Sequence, residues 1–181
     1  MFHLPGRHRG TDSIIKSIKL KRGYTLVYKH TDTANLVLVE KNGISNEAGE
    51  EQADPKMPLD VLGSLYADFD NTFALVTHLP DSPLKITIYD KKTGGMLVYG
   101  KTPFYLDTIR GLMMYEGAYG KAGYLALYDA EKGQVEYYRA PTDTPCFCCC
   151  CWKATEVSDK EIKIEYINMN YEKAVKVYER K

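Results

Sequence analysis

Along most of the chain, apolar and polar residues alternate with a period of two rather than recurring every three or four. That alternation marks strands with one face turned inward. It is readable at Ile14–Leu20, Tyr24–Lys29 and Leu36–Glu40, and again at Leu65–Phe69, Phe73–His78, Leu84–Tyr89, Met96–Tyr99, Ile109–Tyr115, Tyr124–Asp129, Gln134–Ala140, Cys146–Thr155, Ile162–Ile167 and Ala174–Tyr178. The connections supply Gly, Asp, Asn, Ser and Pro, residues whose backbones or side chains suit tight turns. Short strands at this spacing predict an all-β fold, an antiparallel meander of hairpins forming a sandwich or barrel, with a small propeller-like array as the alternative.

Three stretches depart from the pattern. Residues 1–12 carry Pro5, Gly6 and Gly10 and read as an irregular leader. Residues 44–58 turn acidic and polar and contain Pro55 and Pro58. They read as a long exposed loop inside a single β-rich domain covering 13–181, with a linker between two small domains as the alternative. Near the end, Tyr171, Ala174, Val175 and Tyr178 have helical spacing. Val175 and Val177 also alternate, and a strand returning along Ile162–Ile167 is the preferred reading.

A short repeat lies within the meander. Tyr89, Asp90, Gly94 and Tyr99 recur as Tyr128, Asp129, Gly133 and Tyr138. Each copy predicts a hairpin whose turn starts on an Asp and ends on a Gly with a permissive φ. The hairpin resembles the outer strand pair of a propeller blade, over a segment of generic sequence.

Composition narrows the partners. The 181 residues carry 24 Lys+Arg against 24 Asp+Glu, so no general field draws in nucleic acid. The local cluster Arg7, His8, Arg9, Lys16, Lys19, Lys21 and Arg22 reads as a solvated strand face. No apolar run approaches the ~18–20 residues of a membrane-spanning helix. The first residues lack an apolar core like that of a signal peptide, so a cytoplasmic location is expected if Met1 is the native start. Tyrosine is in excess, with 15 Tyr against 5 Phe. Its apolar ring and polar tip suit both strand packing and protein interfaces.

The one chemically unusual segment is Pro145–Trp152, which holds all five cysteines: Cys146, Cys148, Cys149, Cys150 and Cys151. Neighbouring cysteines meet disulfide geometry poorly, which points to a reduced setting. The preferred reading is a buried strand with cysteine acting as a small hydrophobe. The alternatives are a Zn or Cu(I) site, S-acylated membrane attachment, and a redox role. His3, His8, His30 and His78 show no ligand spacing, and His78 reads as a strand-end residue. Asp68 and Asp70 read as an Asx-type turn. Gly117, Gly120 and Gly123 surround Lys121, but no helix follows to make a phosphate loop. No nucleophile elbow, dinucleotide fingerprint or zincin motif is present, which weighs against an enzyme and leaves catalytic residues unassigned. The function expected is that of a non-enzymatic binding domain with another protein as partner, acting through a Tyr-bearing β surface. A thiol-cluster protein and an enzyme with a site assembled from distant residues are the alternatives.

Overall fold

A computed structural model describes residues 13–52, 62–78, 83–117, 123–145 and 151–180. Among the described residues, fifteen strands form four antiparallel sheets, each a meander in chain order. The first sheet contains β1 (Ser13–Lys19), β2 (Thr25–His30), β3 (Ala34–Lys41) and β4 (Ile44–Gln52). The second contains β5 (Ser64–Asp68), β6 (Thr72–Thr77), β7 (Lys85–Asp90) and β8 (Met96–Lys101). The third contains β9 (Pro103–Asp107), β10 (Leu112–Glu116), β11 (Tyr124–Asp129) and β12 (Gln134–Arg139). The fourth contains β13 (Lys153–Val157), β14 (Glu161–Ile167) and β15 (Lys173–Glu179). No α-helix occurs among the described residues, and the strand reading of the last segment holds: β15 pairs with β14 along its whole length.

Local chemistry explains the turns. Lys41 pairs with Ile44, so Asn42-Gly43 is a two-residue hairpin loop, with φ values of 51° and 78°. Both residues need positive φ in this turn, which Asn and Gly tolerate. The duplicated hairpin also forms as its sequence predicts. The Asp90 carboxylate accepts from the Thr93 amide at 2.7 Å, and the Asp129 carboxylate accepts from the Glu131 and Lys132 amides at 3.1 Å.

The sheets pack face to face in sequence. Leu26, Tyr28, Val37 and Val39 of the first meet Phe73, Leu75 and Tyr89 of the second. Ile86, Ile88 and Val98 then meet Met113, Tyr115 and Tyr128 of the third. Leu112, Met114, Leu125 and Leu127 meet Ile162, Ile164 and Tyr166 of the fourth. The second and third sheets are thus covered on both faces, and β6 and β10 are nearly continuous apolar runs rather than alternating ones. The result is a layered sandwich of blade-like meanders, not a closed barrel.

Three sequence readings need correction. Residues 44–52 are not loop but strand β4, while residues 53–58 lie outside the described residues. An edge strand on a terminal sheet buries little, so its outward positions stay polar and the alternation fades. Ile109 does not begin a strand: it is 94% exposed in the β9–β10 turn, and β9 is a strand that the alternation does not reveal. Pro103 opens that strand at a sheet edge, where a missing N–H costs nothing. The cysteine run does not continue as strand into Cys151 and Trp152, since β13 begins only at Lys153.

Charged side chains staple the layers. Lys91 is fully buried, pairs with Asp68, and donates to the Phe69 carbonyl. Asp68 in turn accepts from the Lys21 amide at 2.7 Å, tying the second sheet to the first. Arg180, 3% exposed at its side chain, reaches Asp129 at 2.9 Å and Glu136 at 3.0 Å, tying the fourth sheet to the third.

Candidate functional site

A cleft of about 390 Å³ opens between the edge strands β4 and β8. Cross-strand register builds its wall. Tyr89 on β7 lies opposite Met96 on β8, and paired residues share a face, so both turn toward the first sheet. Ile88 and Val98, also paired, turn the other way into the core with the third sheet. Tyr99 extends the tyrosine wall outward and is 74% exposed. Opposite stand Ala48 and Gly49. A Cβ on Gly49 would sit 3.9 Å from the Tyr89 hydroxyl and 4.0 Å from Val37 Cβ, so a bare backbone here leaves the cleft open.

Tyr89 is the anchor of the site. Its ring stacks on Phe73 with centroids 5.3 Å apart, and the residue is only 8% exposed. Burial, and secondarily Tyr99, raises its pKa above the ordinary tyrosine value, so the phenol stays protonated and able to donate. Yet its hydroxyl lines the cleft with no protein hydrogen-bond partner among the described residues. Nearby Tyr28 differs: its hydroxyl donates to the Gly63 carbonyl at 2.9 Å. A hydroxyl that opens onto a cavity without a protein partner is a group that a ligand can engage.

The residues singled out from sequence lie elsewhere. Cys146, Cys148, Cys149 and Cys150 are outside the described residues. Cys151 is disulfide-bonded and packs against the core between the third and fourth sheets. The expectation that the clustered thiols pair poorly therefore fails at Cys151, which is no free thiolate for a metal. Among the described residues no group of three His, Cys, Asp or Glu side chains is placed to hold a metal ion. His30 Nδ1 is 2.8 Å from Asn35 Oδ1, and His78 is exposed just past β6. Asp68 and Asp70 are not simply a local turn: Asp68 pairs with Lys91, and Asp70 with Arg22. The Gly117 amide closes the β10–β11 hairpin on the Tyr124 carbonyl at 2.7 Å, and residues 118–122 are outside the described residues.

A second cavity, of about 430 Å³, lies where Arg22, Asp70, Ile109 and Arg110 meet. Its guanidiniums are already engaged. Arg22 holds Asp70, while Arg110 binds Asp107 at 2.7 Å and donates to the Val157 carbonyl at 2.7 Å. It is therefore less suited to a ligand than the tyrosine cleft. A scan against protein-family models and a search of curated proteins each find no match.

Proposed function

We propose that this protein is a non-enzymatic binding domain that takes a protein partner through the tyrosine-bearing β surface at the β4–β8 cleft. The observation that carries the reading is Tyr89, a nearly buried residue with a stacked ring whose unpaired hydroxyl opens to a cavity. Around it, Met96 and Tyr99 on one edge strand are 58% and 74% exposed. Covering such side chains is worth roughly 1.5–3 kcal/mol each, and tyrosines are favoured anchors of interfaces. A few such anchors around a preformed cleft are sufficient for recognition without a large buried area.

The test is selection of random peptides, fused to the carboxyl end of a carrier protein, on the immobilised domain and on its Gly49→Leu variant. A Cβ here meets only ordinary van der Waals contact, so the backbone accepts a side chain that occupies the cleft. Peptides enriched on the wild type are expected to lose at least about tenfold in affinity on Gly49→Leu and on Tyr99→Ala. Enrichment that ignores both substitutions, or none at all with the fold intact by circular dichroism, overturns the reading.

A further inference from the structure

We infer that the cleft recognises the carboxyl-terminal residue of its partner, with an apolar side chain against Leu75 and Met96 and the terminal carboxylate held by Lys85, Tyr89 and Tyr99. The inference rests on the proposed binding role and names the part of the partner that is read. Among the side chains lining the cleft, the Lys85 ammonium and the Tyr89 and Tyr99 hydroxyls have no hydrogen-bond or ion-pair partner among the described residues. An ammonium can only donate, and a neutral phenol donates readily. Donors that line one cleft suit an acceptor with several lone pairs and a negative charge, which a carboxylate supplies.

The one acidic residue on the lining, Glu50, does not contradict this. It pairs with Leu36, while Leu36's neighbour Val37 faces the second sheet. Glu50 therefore contributes backbone to the wall while its carboxylate turns to the opposite face of the first sheet. Leu75 and Met96 supply the apolar surface that selects the last side chain. A peptide end fits better than a free organic acid because β4 and β8, which flank the cleft, are both edge strands. Their outer backbone groups can pair with an extended chain, and a free acid has no backbone to offer.

The experiment measures binding of acetylated tetrapeptides ending in Leu, Phe or Tyr, each made as free acid and as carboxamide, together with 3-phenylpropionate as the free acid. At least one peptide acid is expected to bind at least about tenfold more tightly than its amide and than 3-phenylpropionate. Lys85→Gln should bring the acid down to the level of the amide while leaving the amide unchanged, and Tyr89→Phe should narrow the same gap. Equal binding of acid and amide, or a gap that survives Lys85→Gln, overturns the carboxylate contact while leaving a binding role for the cleft intact. Binding of 3-phenylpropionate as tight as that of the peptides overturns the choice of a chain end. No binding by any peptide, when the carboxyl-terminal library does yield cleft-dependent binders, overturns the inference and spares the binding role.

Discussion

Arg180, one residue beyond the last strand, places its guanidinium 2.9 Å from the Asp129 carboxylate in the hairpin of the neighbouring sheet. The same Nη2 lies 3.0 Å from Glu136, whose other oxygen accepts from the Tyr138 hydroxyl. One cation thus neutralises two nearly buried carboxylates. Arg180→Met removes this cation from both, leaving Asp129 with only the more exposed Lys132 at 3.7 Å, and a broken buried pair costs about 3–5 kcal/mol. Urea denaturation should show that loss, whereas Arg22→Ala, whose pair with Asp70 is largely exposed and screened by solvent, should cost far less. Equal effects would mean that Arg180 gains nothing from its burial.

The same cluster sets a response to acid. Burial alone would raise the Asp129 carboxyl, but the Lys132 amide, Arg180 and the Lys132 cation outweigh it and hold the pKa below the ordinary aspartate value. A depressed folded value means the group contributes stability above its unfolded pKa and loses it as the pH falls through the folded one. The urea midpoint should therefore drop below about pH 4. Asp129→Asn should flatten that part of the profile, and an unchanged slope in this variant would contradict the assignment.

At the alkaline end, burial pushes Tyr28 and Tyr115 up to about 12, with smaller contributions from Tyr89 and from Tyr137 and Tyr128 respectively. Unfolded tyrosines ionise near pH 10, so the raised values contribute stability below that pH and lose it as the pH rises toward 12. Phenolate absorbance should show a late group of tyrosines that titrates only with unfolding. Complete titration near pH 10 with the circular dichroism spectrum unchanged would refute this.

The two glycines of the repeated hairpin should respond differently to one substitution. Gly133 has φ +63° and open space where a Cβ would stand, so Gly133→Ala costs only the left-handed backbone, about 1–2 kcal/mol. Gly94 has φ +74°, and its Cβ would meet the Glu47 carbonyl oxygen of β4 at 2.3 Å. Gly94→Ala must push the first and second sheets apart and should cost clearly more. Comparison of denaturation midpoints decides it, and similar losses would show that β4 yields freely.

Thiol counting addresses the cysteine run. With Cys151 in a disulfide, alkylation of the denatured, unreduced protein should add at most three groups, and prior reduction should raise the count to five. Intact mass reads both numbers. Five adducts before reduction would remove the disulfide.

The β content is legible because period-two patterning and turn chemistry are local. Asn42-Gly43, Asp90…Gly94 and Asp129…Gly133 dictate their hairpins through their own backbones and side chains. Strands bordered by such turns pair with their sequence neighbours, so the meander follows as well. Where burial is one-sided and slight, as in β4, or where an edge strand begins on Pro103, the local signal weakens and the strand escapes the pattern. The excess of tyrosine points to a tyrosine-bearing surface without saying which tyrosines. Nothing in the sequence sets Tyr89 apart from Tyr128, its counterpart in the repeat. Tertiary structure separates them. Tyr128 is sealed between the second and third sheets at 1% exposure, whereas Tyr89 faces β4, where Ala48 and Gly49 are too small to cover its hydroxyl. Lys91, Arg180 and the cleft likewise depend on which sheet packs against which. That choice is made by surfaces distant in sequence, and so it belongs to the folded molecule alone.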